Sequence, residues 1–193
     1  MQETSGSAER QLAAGNLLYQ AGQGGNAWLL LEGSIRLDRP EVRDESGFAG
    51  IAIKGDILGA ETMLLGNYTY TATALTPCKL TRWPEGSSQP EPAALLKALS
   101  SAERRGADAV AMRCGEAATR VRRLIALMAA TSSSRQLSRL MLPALRDMAE
   151  ITALTIGTVS RILVQLQAAG DLARSETRRG RPRNTALAKP NFL

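Results

Sequence analysis

The chain has 193 residues, of which 44% are apolar and 22% charged, and its formal net charge is +6. This length and apolar content suit one domain of ordinary size or two small ones. The chain lacks histidine, the commonest metal ligand and general base, and its two cysteines are too few for a disulfide framework. These totals argue against a metal site and a catalytic triad.

The positive charge is concentrated in the C-terminal part of the chain. Residues 115 to 193 hold 13 Lys and Arg against 5 Asp and Glu, a net +8, whereas residues 1 to 114 hold 11 against 13, a net −2. A basic surface confined to one part of a chain favours a polyanionic partner. The longest strongly apolar run, "LIALMAA", is far shorter than the roughly 20 residues that span a bilayer. We therefore expect a cytoplasmic protein without membrane contact.

Short apolar stretches between residues 10 and 83 predict β-strands. They include "AWLLLEGSIRL", "FAGIAIKGDILG" and "YTYTATALTPCKLTRW", and turn formers separate them. Repeated runs of this length are typical of an antiparallel sandwich or barrel. The following segment, "WPEGSSQPEP", is rich in proline and indicates a break in the fold.

A helix is predicted from Pro92 to about Arg113. Its apolar and small residues step by four and three, as in a coiled-coil seam: Leu95, Leu99, Ala102, Gly106 and Ala109. We expect this seam to pack against the same helix of a second copy. The alternative is a helix that lies on the β domain of its own chain.

The C-terminal part has the pattern of a helix-turn-helix. An amphipathic helix at 116 to 130 and a short strand at 137 to 142 precede it. The stretch "ALRDMAEITALTIGTVSRIL" then predicts a helix that ends near Ile151, a turn over "TAL", and a second helix that begins at the capping residue Thr155 and closes at Gly170. Its apolar stripe comprises Ile156, Val159, Ile162, Leu163 and Leu166. Another kind of tight helical hairpin is the alternative.

The residues expected to contact DNA lie on the second helix and on a β-hairpin, or wing, whose predicted turn is "RRGRPRN", except for one arginine in the short strand at 137 to 142. Arginine can bind guanine in the major groove, short hydroxyl side chains can reach base edges, and wing arginines can meet phosphate. The candidate DNA-binding residues are Thr155, Gly157, Thr158, Ser160, Arg161, Arg139, Arg178, Arg179, Arg181 and Arg183.

The order of β domain, long helix and winged helix-turn-helix resembles the catabolite-activator and fumarate-nitrate-reduction (Crp/Fnr) family of bacterial transcription regulators. The resemblance covers nearly the whole chain. It is carried by "LLLEGSIRL", "GDILGAETML", "YTATALTPCKL" and "TVSRIL", in that order. The strand "YTYTATALTPCKL" is most similar to the NtcA-like nitrogen-control branch, whose members respond to 2-oxoglutarate.

The resemblance implies an effector pocket near Glu61, Tyr68, Thr69 and Tyr70, although alternating Tyr and Thr are also ordinary strand formers. Members that bind cyclic nucleotides carry an arginine, followed by Ser or Thr, about ten residues before the cysteine that is Cys78 here. That position is Tyr68, so we do not expect cAMP to bind, while 2-oxoglutarate is a candidate. Many members also carry a glutamate, which accepts from cytosine, where this chain has Gly157.

The predicted fold class is α+β. It comprises an N-terminal antiparallel β-roll of the jelly-roll, cyclic-nucleotide-binding-like type (1–91), a long dimerisation helix (92–114) and a C-terminal winged helix-turn-helix (115–193). The predicted function is a homodimeric transcription regulator that reads a near-palindromic double-stranded DNA site, with a non-cAMP effector or none. RNA polymerase is a further candidate partner. No catalytic residue, metal or cofactor is expected.

Two alternative functions remain. One is an effector-binding module without a DNA-reading function, against which the wing arginines argue. The other is a cupin-type enzyme, which ordinarily needs a histidine-rich metal site. The pattern does not separate activation from repression.

Overall fold

The computed structural model describes residues 9–40, 47–84, 90–130, 140–173 and 183–185. The chain divides into two compact units, residues 1–106 and residues 107–193. Each unit is described by itself below.

The first unit is built on two four-stranded antiparallel sheets. One has the order β1-β8-β3-β6 and the other the order β2-β7-β4-β5. The strands are β1 (Arg10–Leu12), β2 (Leu17–Tyr19), β3 (Ala27–Glu32), β4 (Ser34–Asp38), β5 (Phe48–Ile53), β6 (Ile57–Leu58), β7 (Thr71–Ala74) and β8 (Cys78–Trp83).

The core of this unit draws side chains from both sheets. Leu30 and Leu80 come from one sheet, and Ile35 and Ala72 from the other, and all four are fully buried. In β7 the threonines are partly exposed while the alanines point inward, which is the alternation that the sequence shows. The antiparallel β-roll predicted for this region is confirmed.

Gly33 joins β3 to β4 and needs its glycine for two reasons. Its φ is +91°, a left-handed conformation that side chains disfavour, and a Cβ there would collide with the carbonyl oxygen of Pro77 and the sulfur of Cys78. The "LEGS" part of the motif therefore brings the β3–β4 turn close to the start of β8.

Two helices follow the strands of the first unit. The short helix α1 (Thr62–Leu65) follows β6, and the long helix α2 (Pro92–Ala111) follows β8. Residues 92–106 of α2 belong to the first unit and residues 107–111 to the second. Helix α2 begins where it was predicted to begin, but it ends at Ala111, and Met112 and Arg113 form a turn.

The second unit contains three helices and a small sheet. The elements are α3 (Ala117–Ala130), β9 (Leu140–Leu142), α4 (Leu145–Thr152), α5 (Ile156–Ala168) and β10 (Arg183–Thr185), with β9 and β10 antiparallel. The core includes Ile125 of α3, Met148 of α4 and Val159 of α5, all with no exposed surface. In the described part of the chain, no single helix is long and apolar enough to cross a membrane; α4 and α5 meet that test only as a pair bent by 104°.

The helix-turn-helix elements lie close to their predicted bounds. Helix α4 ends one residue later than expected, at Thr152, and Thr155 caps α5 as predicted. Two details differ. Ile156, in the first turn of α5, is half exposed, and Arg183 and Asn184 belong to strand β10, whereas they were predicted to lie in the wing turn. The pairing of β10 with β9 extends their backbone.

Candidate nucleic-acid interface and β-roll interior

Thr155 caps the first turn of α5, and most of this turn is exposed to solvent. Thr155 has an extended backbone, and its hydroxyl oxygen accepts a hydrogen bond from the Thr158 amide at 3.1 Å. The two threonine hydroxyls are 2.9 Å apart. A Cβ added to Gly157 would meet only the Thr155 hydroxyl, at 3.9 Å, among the described residues. Packing against the residues that the structure describes therefore does not require a glycine at 157.

Arg161 lies one turn further along α5 and is exposed. Its Nε donates to the Gly157 carbonyl at 3.3 Å, and no acidic side chain pairs with it within the described ranges. Four of the predicted residues thus lie together around the first turns of α5: Thr155, Gly157, Thr158 and Arg161. Ser160 is on the same helix and is partly buried.

The chain turns sharply between α4 and α5, so that the direction changes by 104° from one helix to the next. This angle is in the range of helix-turn-helix motifs. Ala153 is in the left-handed region, with φ 52° and ψ 48°, although it carries a side chain. A left-handed residue commonly ends a helix, but it is usually glycine.

Two arginines that the sequence analysis did not single out bind the end of α4. Arg113 donates from Nε to the Ile151 carbonyl at 3.3 Å and from Nη2 to the Glu150 carbonyl at 3.1 Å. Arg120 donates from Nη1 to the Thr152 carbonyl at 3.3 Å. The sequence contains one signal for such partners, which is the lack of a basic residue in the last turn of α4. The carbonyls at that end then need donors from elsewhere in the chain.

Other arginines of the second unit also have intramolecular partners. Arg122 forms an ion pair with Asp171 at 3.2 Å. Arg123 donates to the carbonyl of Ala111, the last residue of α2, at 2.6 Å and to the carbonyl of Cys114 at 3.1 Å. Part of the C-terminal positive charge therefore stabilises the fold. The net charge counted from the sequence is larger than the charge that is available to bind a polyanion.

The remaining predicted DNA contacts cannot be placed in the same way. Arg139, Arg178, Arg179 and Arg181 lie outside the described residues. The backbone of Arg183 pairs with Leu142 in the β9–β10 sheet.

Within the first unit, Tyr68 fills the interior of the β-roll. Its ring stacks on Tyr19 with centroids 3.7 Å apart and an interplanar angle of 6°. Its hydroxyl donates to the Asn26 carbonyl at 2.7 Å. Side chains at Gly25 and Gly59 would collide with the ring, so both glycines make room for it. Burial raises the pKa of Tyr19 and of Tyr68, and the nearby Glu61 carboxylate adds to both shifts.

The other predicted effector residues lie beside Tyr68, and two of them contact each other. A carboxylate oxygen of Glu61 accepts from the Thr69 amide at 3.2 Å. Tyr70 is partly buried and packs against the core of the β-roll. The structure therefore brings Glu61, Tyr68 and Thr69 together, but Tyr68 and Glu61 already have partners within the chain.

Helix α2 is held to the first unit by a buried carboxylate. One oxygen of Asp56 accepts from Arg104 at 2.6 Å, lies 3.6 Å from Arg105 and accepts from the Ile53 amide at 2.9 Å. Asp56 belongs to the "GDILG" motif, and its side chain is almost fully buried. The motif thus provides a fixed partner for α2.

The predicted seam of α2 is mostly open in the single chain. Leu95, Leu99, Ala102 and Gly106 are exposed, whereas Ala109 is buried. No group of His, Cys, Asp and Glu suited to a metal occurs among the described residues.

The comparisons with known proteins agree with this architecture. Residues 9–89 match the family model of the cyclic nucleotide-binding domain. Over 93% of this chain and 92% of the other, the structure resembles TTHB099, a CRP-family transcriptional regulator from Thermus thermophilus, with a TM-score of 0.69 and 21% identity. The chain has the CRP-like fold.

Two further solved structures share the CRP-like fold. FixK2 from Bradyrhizobium japonicum matches with a TM-score of 0.70 and 19% identity, over 94% of this chain and 92% of that one. The c-di-GMP responsive global regulator CLP from Xanthomonas campestris matches with a TM-score of 0.61 and 17% identity, over 95% and 94%. A search of curated protein sequences finds no significant match.

Proposed function

We propose that this protein is a sequence-specific DNA-binding transcription regulator of the Crp/Fnr type that acts as a homodimer. The observation that carries the proposal is the first turn of α5. It is capped by Thr155, it follows a 104° bend, and it leaves Gly157 and Arg161 exposed without an acidic partner among the described residues. Such a helix end can enter the major groove and read base edges.

The proposed dimer uses α2, as part of a dimerisation helix over residues 92–114. The exposed leucines Leu95 and Leu99 would gain burial from a second copy, and the small residues Ala102 and Gly106 would let the two helices approach closely. A two-fold axis would place two copies of α5 on successive half-sites of a near-palindrome. RNA polymerase is the proposed further partner of the DNA-bound dimer.

We further propose that the effector is not cAMP, or that there is none. Tyr68 stands where the family resemblance places the phosphate-binding arginine, its ring is stacked on Tyr19, and Glu61 is engaged by the Thr69 amide. A cyclic phosphate would meet a buried phenol in place of a cation. Calorimetry with cAMP should show no specific binding, and a micromolar dissociation constant would contradict this part. The same titration with 2-oxoglutarate tests the nitrogen-control branch.

Selection of bound sequences from a random DNA pool tests DNA reading directly. Wild type should select a near-palindrome, and Arg161→Ala should weaken the best site by about 1 to 3 kcal/mol and relax preference at one position of each half-site. Arg146→Ala is the matched control, because Arg146 is an exposed arginine of α4 whose partner is Glu150. It should leave the preferred bases unchanged.

A gain of specificity provides the complementary test. Gly157→Glu should add selectivity for a cytosine-containing step, and its Cβ would meet only the Thr155 hydroxyl, at 3.9 Å, among the described residues. Arg181→Ala, outside the described residues, should weaken all sequences alike and flatten the salt dependence. If wild type selects no sequence, the result favours the alternative function, an effector-binding module that does not read DNA. If Arg161→Ala and Gly157→Glu leave base preference unchanged, α5 does not dock in this register.

A further inference from the structure

We infer that Arg113 and Arg120 are positioning residues, which hold the turn of the helix-turn-helix and thereby orient α5 without contacting DNA. The expected effect of these arginines on DNA binding rests on the proposed function. Their hydrogen bonds to the turn are observed in the structure and do not depend on that function.

The end of α4 leaves polar groups that need partners. A helix cannot satisfy its own last carbonyls, and these are commonly paired with a glycine cap or a basic residue in the last turn. Helix α4 has neither feature. Its cap is Ala153 in the left-handed conformation, and its last turn contains no Lys or Arg. The Ala153 amide donates to the carbonyls of Ala149 and Glu150, so this cap does not pair the carbonyls of Ile151 and Thr152.

The two arginines supply donors to three successive carbonyls. Arg113 uses two nitrogens of one guanidinium for Glu150 and Ile151, at 3.1 and 3.3 Å, and Arg120 reaches Thr152 at 3.3 Å. The cations also lie at the negative end of the helix dipole. A planar guanidinium can bind two neighbouring carbonyls from two nitrogens held in fixed directions, whereas the donors of an ammonium group all lie on one nitrogen.

These contacts are made where the direction of α5 is set. Only Ala153 and Leu154 separate the last residue of α4 from the cap at Thr155. The Leu154 amide donates to the Ala149 carbonyl at 2.9 Å, so the turn is tied back to α4 from its other side. Loss of the hydrogen bonds to the carbonyls of residues 150 to 152 would therefore alter the angle between α4 and α5.

Two of the three guanidinium nitrogens of Arg120 donate to backbone carbonyls. Its Nε donates to the Gly115 carbonyl at 2.8 Å while its Nη1 binds Thr152. Arg113 likewise uses both Nε and Nη2 for carbonyls of the turn. The competing interpretation is that these arginines belong to the electrostatic footprint for phosphate. The two interpretations predict different salt dependences, because only a phosphate contact releases counterions.

The test combines hydrogen exchange at the turn with DNA binding at several salt concentrations. The variants are Arg113→Gln, Arg120→Gln and the charge-preserving Arg113→Lys and Arg120→Lys. The control is Arg146→Gln, which removes the same charge from the same unit but whose partner is the Glu150 carboxylate. Exchange is followed at the amides of Ala153 and Leu154, and binding is measured on the selected site and on unrelated DNA.

We expect faster exchange at both amides in Arg113→Gln and Arg120→Gln, and no change in the control. Affinity for the selected site should fall about tenfold, which is the scale expected when charge-assisted hydrogen bonds are removed. The salt slope and the affinity for unrelated DNA should stay as in wild type. The lysine variants should fold and show the same changes to a smaller extent, since they keep the charge but lose the fixed two-nitrogen geometry.

Other results would overturn the inference. Unchanged exchange at the turn in all four variants would do so, whether or not the protein binds DNA. A salt slope reduced by about one, with equal losses on all sequences, would assign the arginines to phosphate. If wild type binds no DNA, the proposed function fails, and exchange alone then decides whether the arginines hold the turn. If the glutamine variants do not fold, the lysine variants decide in the same way.

Discussion

Thr155 contributes to stability through a single cap. Its hydroxyl accepts from the Thr158 amide at 3.1 Å, which satisfies one of the first unpaired amides of α5. We expect Thr155→Ala to lower the free energy of unfolding by about 1 kcal/mol, measured by urea denaturation. Thr155→Ser is the matched control, because it keeps the oxygen. An equal loss in both variants would contradict the role of the cap.

Tyr68 is the residue whose role depends most on its surroundings. Tyr68→Ala should lower the free energy of unfolding by about 3 to 5 kcal/mol, because it removes a buried ring and leaves a cavity beside Tyr19. Tyr68→Phe keeps the stack and loses the hydroxyl, which donates to the Asn26 carbonyl, so its cost should be about 1 kcal/mol. Urea denaturation of both variants checks the difference.

The cavity in Tyr68→Ala also permits a rescue experiment. A small aromatic molecule such as 4-methylphenol should occupy the space and raise the melting temperature of Tyr68→Ala, as ligands do in apolar cavities. Wild type, in which the ring is present, is the control and should show no such increase. An equal effect on both proteins would mean that the ring does not fill this space.

At the scale of elements, α2 tests the proposed dimer. Leu99 is 61% exposed and lies on the predicted seam, whereas Leu96 is 64% exposed and lies about 100° from Leu95 around the helix. Leu99→Glu should produce monomers with weakened operator binding, because charge would be placed in the seam. Sedimentation at micromolar concentration measures the change, and Leu96→Glu should remain dimeric. A monomeric wild type would remove the proposal.

Elements were also the scale at which prediction worked best. Helices α4 and α5 were predicted within about one residue, because an apolar stripe, a capping threonine and a closing glycine are local signals. The prediction of the wing turn was wrong at its end. That turn was expected to include Arg183 and Asn184, which instead pair with β9 as strand β10. Pairing with a distant strand overrode the local turn signal there.

For the whole molecule, buried ionisable groups make the free energy of unfolding decrease as the pH rises in the alkaline range. Burial raises the pKa of Tyr19 and Tyr68, and burial raises the pKa of Cys78 to about 11. The unfolded chain, with ordinary pKa values of about 8.5 for the thiol and about 10 for the phenols, loses these protons first. The stabilisation is thus complete below those ordinary values and is lost as the pH rises towards the folded ones.

We therefore expect the urea midpoint to fall between about pH 7.5 and about pH 10.5. Tyr19→Phe cannot ionise at this position and should show a smaller fall. A midpoint that stays constant over this range, or that falls equally in the variant, would contradict the assignment to these groups.

The amino-acid sequence alone determined the α+β order, the β-roll and the ends of the helix-turn-helix. These features follow from periodicity, capping residues and glycines, which act over a few neighbouring residues. The same local patterns identified the first turn of α5, with Thr155 and Arg161, as a candidate DNA contact.

Only the tertiary structure decided which side chains have partners within the chain. It placed the Tyr68 hydroxyl on the Asn26 carbonyl, 42 residues away in sequence. It brought Arg113 and Arg120 to the carbonyls of α4, 37 and 32 residues away. Periodicity and capping carry no information about such pairs, because the two partners meet only after the elements pack. Charge counts along the sequence therefore could not separate arginines that bind carbonyls of the chain, such as Arg113 and Arg120, from exposed arginines such as Arg161.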